Sequence, residues 1–196
     1  RASVGEINSL MYLSRYGEAL EISKRAQRVL QAHGEQSYLG RLYMNQGNLF
    51  FHMDRYREAL RYYTKARRAL GPGLSRDETM VALEMNEASI HASLDDVKRA
   101  ESLFASAVTR AKDRGWSLLA AQGDFNLANV LFLQSRYQEA LSALSRAAAV
   151  FEREDKSLAA IAEATRAAIY LRLNMSQEAA LHARSALGYF VKAGMR

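Results

Sequence analysis

Residues 43–66 read YMNQGNLFFHMDRYREALRYYTKA, and this stretch decides the fold. Gly47 is a small residue among large ones, and Phe50 follows it by three. Asp54-Arg55 interrupts the apolar pattern, and Tyr56 reopens it. Glu58-Ala59-Leu60, Tyr63 and Ala66 then continue at helical spacing. Ala59 and Ala66 stand two helical turns apart, so they share one face. The same pair recurs as Ala19/Ala26, Ala100/Ala107, Ala140/Ala147 and Ala179/Ala186, at steps of 40, 41, 40 and 39 residues. The small residue recurs as Ala88, Ala128 and Ala167, and the large one as His91, Leu131 and Tyr170. An internal period of this size points to a stacked array of supersecondary units. Small side chains let two antiparallel helices approach, and large ones fill the space on either side.

This register resembles the tetratricopeptide repeat family. Tyr43, Gly47, Phe50, Tyr56, Ala59, Tyr63 and Ala66 carry the match best. Departures are Ile7 at a small-residue position, and Glu84 and Glu163 at a large one. The period near 40 is longer than the usual 34 and is similar to repeats of bacterial signalling regulators and kinesin light chains. The resemblance implies an all-α, right-handed superhelical solenoid of five helix–turn–helix repeats. The expected repeats are about 1–34, 35–74, 75–115, 116–155 and 156–196, in one domain that reads as part of a longer protein. The expected helices are about 2–13, 16–33, 36–52, 55–70, 75–93, 96–114, 116–133, 136–154, 157–173 and 176–193. Gly34, Gly71-Pro72-Gly73 and Gly115 are the expected stops between repeats.

The composition agrees with helix throughout. Pro72 is the one proline, and Ala, Leu, Arg, Glu and Gln dominate. Cysteine is absent, which excludes disulfides and thiolate metal sites. No apolar run approaches the roughly 18 residues of a membrane span. The chain therefore reads as cytoplasmic, with no membrane partner. The net charge is +6. Arg57, Arg61, Lys65 and Arg68 fall on one helical face as a candidate basic patch, but no second stripe extends it into a phosphate track. Nucleic acid is accordingly the disfavoured partner.

No catalytic constellation is present. The four histidines form neither His-x-x-x-His nor a di-iron pattern, and no phosphate loop or nucleophile elbow occurs. We expect no enzyme, no metal and no cofactor. The informative residues lie two before the small residue, where Asn45, Asn86 and Asn126 are identical, and one after it, where Asn48 and Asn129 stand. Asn is a poor residue for a helix interior, so its repetition calls for a compensating role. An amide offers both donor and acceptor, as a peptide backbone does. The family resemblance implies that the first helices line a concave groove. Asn45, Asn48, Asn86, Asn126 and Asn129 would then form a backbone-reading ladder. Arg41, Met44, Met85, Gln122 and Phe125 would complete a peptide-binding groove. The alternative is that each Asn orients the stack. The expected function is a protein-interaction scaffold for an extended peptide or partner segment. A second reading is the sensor array of a larger bacterial regulator or caspase-like peptidase. The apolar end Gly188-Tyr189-Phe190-Val191 suggests self-association through terminal helices.

Overall fold

In a computed structural model the structure describes residues 2–71 and 78–192. The described residues form ten α-helices and no strand. They are α1 (Ala2–Tyr12), α2 (Tyr16–Ala32), α3 (Gln36–His52), α4 (Tyr56–Leu70), α5 (Glu78–Ser93), α6 (Val97–Asp113), α7 (Ser117–Leu133), α8 (Tyr137–Glu154), α9 (Lys156–Arg172) and α10 (Ser176–Lys192). These match the expected helices to within one residue wherever both can be compared. The expected stop at Pro72-Gly73, the stretch 75–77 and residue 193 lie outside the described residues.

The turns inside the pairs share one geometry. Ser14, Asp54, Asp95, Ser135 and Asn174 all take positive φ, between 56° and 62°. Asp and Asn tolerate this left-handed region better than most residues. In the second pair Asp54 N–H donates to Phe51 O (3.0 Å) and Arg55 N–H to Phe50 O (2.9 Å). These two bonds satisfy carbonyls that the helix end would leave open. Ser135 and Arg136 repeat the arrangement on Phe132 and Leu131. The arginine after the turn then grips the glutamate three residues on. Arg15–Glu18, Arg55–Glu58 and Arg136–Glu139 are ion pairs at 2.6, 2.7 and 2.6 Å. This hydrogen-bonded guanidinium holds each glutamate below the usual carboxylate range. Between pairs, Gly34 and Gly115 end their helices at φ 68° and 71°, as expected of stops. The fourth-to-fifth junction uses Asp155 instead, whose side chain accepts from Ser157 N–H and Leu158 N–H.

The chain divides into two compact units, Arg1–Leu94 and Asp95–Arg196. The division falls inside the third repeat. In the first unit, Ile7, Ala19, Leu42 and Leu49 join α1, α2 and α3. Tyr43, Phe50, Ala59, Tyr63, Ala66 and Leu83 join α3, α4 and α5. In the second, Ala128, Ala140, Leu144, Ala147, Phe151 and Ile169 run through α7, α8 and α9. Nine of the ten paired alanines are buried, and Ala26 is half-buried. Among the described glycines the least room is at Gly47, where a Cβ would lie 2.2 Å from the Tyr63 ring. On α10, Leu181, Leu187 and Val191 are exposed.

Candidate functional site

The first helix of each repeat carries three kinds of polar position, and the structure separates them. The first is the amide position. On α3, Arg41 is exposed, Asn45 is buried and Asn48 is half-buried. Asn48 Oδ1 accepts from Tyr63 Oη of α4 (2.8 Å) and from Asn86 Nδ2 of α5 (2.9 Å). One carbonyl thus joins three helices, and Asn48 and Asn86 are brought together as a rung between successive first helices. Burial raises the Tyr63 phenol well above its ordinary range, with the Glu87 carboxylate a smaller contribution, so Tyr63 stays a donor.

In the second unit α7 presents the same register differently. Gln122, Asn126 and Asn129 sit at i, i+4 and i+7, all half-buried. Among the described residues, none of their side chains makes a hydrogen bond. Three amides therefore share one helical face with their donors and acceptors open.

The residues expected to form apolar pockets between the amides pack against the core to different extents, Met85 buried and Met44 and Phe125 half-buried. Met85 is 3% exposed. Met44 packs against the α3–α5 core. Phe125 meets Phe151 edge-on at 6.1 Å in the α7–α9 core. All three stand one residue before an amide position, which rotates them about 100° toward the neighbouring helices. Asn45, at 8% exposure, is likewise too enclosed to be a principal contact.

The second and third kinds of polar position were not anticipated. Tyr43, Glu84, Asp124 and Glu163 share one register, four residues before the small residue. Each reaches a neighbouring second helix. Gln31 Nε2 donates to Tyr43 Oη (3.3 Å), and Arg67 of α4 meets Glu84 of α5 (3.4 Å). Asp124 is 4% exposed at its side chain and takes Lys112 of α6 (3.2 Å) and Arg146 of α8 (2.7 Å). Glu163 is 7% exposed, with Arg166 at 2.8 Å and His182 Nδ1 at 2.7 Å. His182 stacks on Tyr170 at 5.2 Å. Three residues later in the register, Gln46 Nε2 donates to Ser23 Oγ (3.1 Å), and Arg67 meets Glu87 (2.7 Å). These polar pins join each first helix to its neighbours. The sequence signal was the acid standing at a large-residue position in three successive copies.

Arg57, Arg61, Lys65 and Arg68 are exposed along α4. Among the described residues, no group of three His, Cys, Asp or Glu side chains could hold a metal ion. None of their helices is long and apolar enough to cross a membrane.

The tetratricopeptide repeat model matches residues 6–70. Over that segment the chain is similar to the tetratricopeptide repeat family. The remaining helices continue the same pattern, and the solved structures extend the likeness to nearly the whole chain. A Rap protein complexed with Competence and Sporulation Factor matches 95% of this chain and 52% of its own, at 16% identity and a TM-score of 0.87. Aspartyl phosphate phosphatase F from Bacillus subtilis matches 98% and 50%, at 19% identity and 0.79. A TPR-like repeat array of kinesin light chain type from Podosopora anserina matches 100% and 96%, at 14% identity and 0.69. At these identities the likeness is one of fold: an all-α array of TPR-like helix pairs. This chain spans about half the length of the Rap and phosphatase F chains. No curated protein matches the sequence.

Proposed function

We propose that this chain is a protein-interaction module that holds an extended peptide against the amide face of its first helices. The observation that carries this reading is the row Gln122, Asn126 and Asn129 on α7, half-buried and without a side-chain hydrogen bond among the described residues. Polar side chains in a helix interior that bond to nothing in their own fold are suited to an external donor and acceptor. A peptide backbone supplies both. The fold likeness to a Rap protein solved with Competence and Sporulation Factor supports the same reading. Arg41 and Asn48 occupy the matching register on α3, but Asn48 already serves the scaffold. Ligand contact therefore concentrates on α7.

The test is to pan a phage library of random dodecapeptides on the chain and titrate the selected peptides by fluorescence anisotropy. Three lost hydrogen bonds at about 0.5–1.5 kcal/mol each should weaken binding at least tenfold in Gln122→Ala/Asn126→Ala/Asn129→Ala. Helicity should not change. Equal affinity in the triple variant would refute the amide face. A second reading, the sensor array of a longer signalling protein, is supported by the Rap chain being about twice as long as the matched region. It predicts that peptide binding alters the activity of a flanking domain in the full-length protein.

A further inference from the structure

The net charge of this chain is concentrated on one helix. Helix α4 carries five cations, Arg57, Arg61, Lys65, Arg67 and Arg68, against the single carboxylate Glu58; the difference, +4, is most of the chain's +6. The fold neutralises part of this. Arg55, just before the helix, takes Glu58, and Arg67 takes Glu84 and Glu87. Arg57, Arg61, Lys65 and Arg68 remain, exposed and with no ion pair among the described residues.

Three of these cations, Arg61, Lys65 and Arg68, border a hollow of about 530 Å³ with an aromatic floor, and Arg57 lies one turn before them on the same helix. Phe50 and Tyr62 stack at 5.0 Å with their planes 20° apart. Lys65 Nζ lies 4.6 Å from the centre of the Tyr62 ring, and the Arg55 guanidinium 4.7 Å from that of Phe50. Arg61, Thr64, Arg68 and Glu58, the last neutralised by Arg55, complete the wall. Cationic and apolar surfaces thus lie side by side along one groove.

We propose that this hollow binds an extended acidic segment whose carboxylates alternate with apolar side chains. Along α4 the free cations are spaced by about 6 Å, from the 1.5 Å rise per residue. In an extended chain the side chains of one face recur about every 6.8 Å. Carboxylates at alternate positions therefore meet successive cations, and the intervening side chains turn to the Phe50–Tyr62 floor. The row spans only about 16 Å. The equivalent positions on α2 are Gly17, Glu21, Arg25 and Arg28, with Glu21 paired to Lys24, so the row does not continue within this unit. A short, sparsely charged peptide fits that limit better than a polyphosphate backbone, which needs a longer track.

The probe is a fluorescein-labelled peptide, Glu-Phe-Glu-Leu-Glu-Phe-Glu, titrated by anisotropy at 50 and 200 mM salt. Hepta-glutamate, single-stranded RNA and duplex DNA serve as comparisons. The alternating peptide should bind more tightly than hepta-glutamate and than either nucleic acid. Its affinity should fall at least tenfold in Arg57→Ser/Arg61→Ser/Lys65→Ser/Arg68→Ser. Tyr62→Ala should weaken it several-fold while leaving the salt dependence in place. The α7 triple variant should leave it unchanged, which separates this site from the amide face. Circular dichroism checks that each variant folds. The proposal fails if no binding is detected, if the quadruple variant binds like the parent, or if hepta-glutamate binds equally well. Tighter binding of RNA or DNA through the same four residues would also overturn it and make the patch a phosphate reader.

Discussion

Replacing Gly47 with alanine tests the tightest of the described glycine sites. Built on the backbone, a Cβ at position 47 falls 2.2 Å and 2.4 Å from Cε1 and Cδ1 of Tyr63. Tyr63 is 1% exposed, and its hydroxyl is fixed on Asn48 Oδ1 at 2.8 Å. The ring cannot swing away without breaking that bond or opening the core. Overpacking of this kind costs about 1–3 kcal/mol. Against it stands the helix propensity of alanine, about 1 kcal/mol better than glycine. The net expectation for Gly47→Ala is a loss of about 1 kcal/mol, or a Tm lower by roughly 2–4 °C in a chain of this size. The fourth repeat shows how the conflict is relieved, since Ala128 and Leu144 fill the matching positions, both fully buried. In a Tyr63→Leu background, Gly47→Ala should therefore become stabilising by up to about 1 kcal/mol. The sign reversal is read from urea unfolding of the four members of the double-mutant cycle, with m-values checked for constancy. If Gly47→Ala changes stability in the same direction in both backgrounds, the contact does not govern this helix pair.

The polar pins give an asymmetric expectation. Asp124 is buried, whereas its partners Lys112 and Arg146 are about half exposed. Lys112→Ala/Arg146→Ala strands a buried carboxylate and should lose about 3 kcal/mol in urea unfolding. Asp124→Leu frees two cations that can hydrate, and it should fall within about 1 kcal/mol of the parent. Asn86→Ala removes the rung to Asn48 and should cost about 0.5–1.5 kcal/mol by the same assay, because Tyr63 still serves that carbonyl. Spectrophotometric titration of the ten tyrosines should show one that ionises only with unfolding, and Tyr63→Phe should remove it. Its folded pKa is raised, so its contribution to stability is complete below the unfolded value near 10 and declines as pH rises beyond that.

The fold was legible because its determinants are short-range and repeated. The alanine pairs set the register, and five polar turns at Ser14, Asp54, Asp95, Ser135 and Asn174 mark the hairpins. One copy is ambiguous, but five in one frame are not. The site was legible only in part. Helical spacing puts Gln122, Asn126 and Asn129 on one face of α7, where all three are half-buried. It could not tell groove from core one residue away, where Met85 is buried and Phe125 is half-buried against Phe151. A rotation of 100° separates the two environments, and periodicity alone does not say which neighbour lies in that direction.

The amide register shows why identical letters need not do identical work. Asn48 and Asn129 occupy the same place in the repeat. On α3 the residue is bound by a tyrosine from the second helix and an amide from the next first helix. On α7 Asn129 has neither bond among the described residues: Leu144 replaces the tyrosine, and Thr165, which holds the place of Asn86 on α9, donates its hydroxyl to Ile161 O (3.0 Å) instead. The tyrosine at 63 also requires glycine at 47, whereas Leu144 coexists with Ala128. Packing between large and small residues thus determines whether an amide is used by the fold or left open. Introducing Leu144→Tyr with Ala128→Gly should carry the scaffold bond to Asn129 and, if the α7 face binds peptide, weaken that binding. Unchanged affinity alongside a gain in stability would show that Asn129 takes no part in recognition.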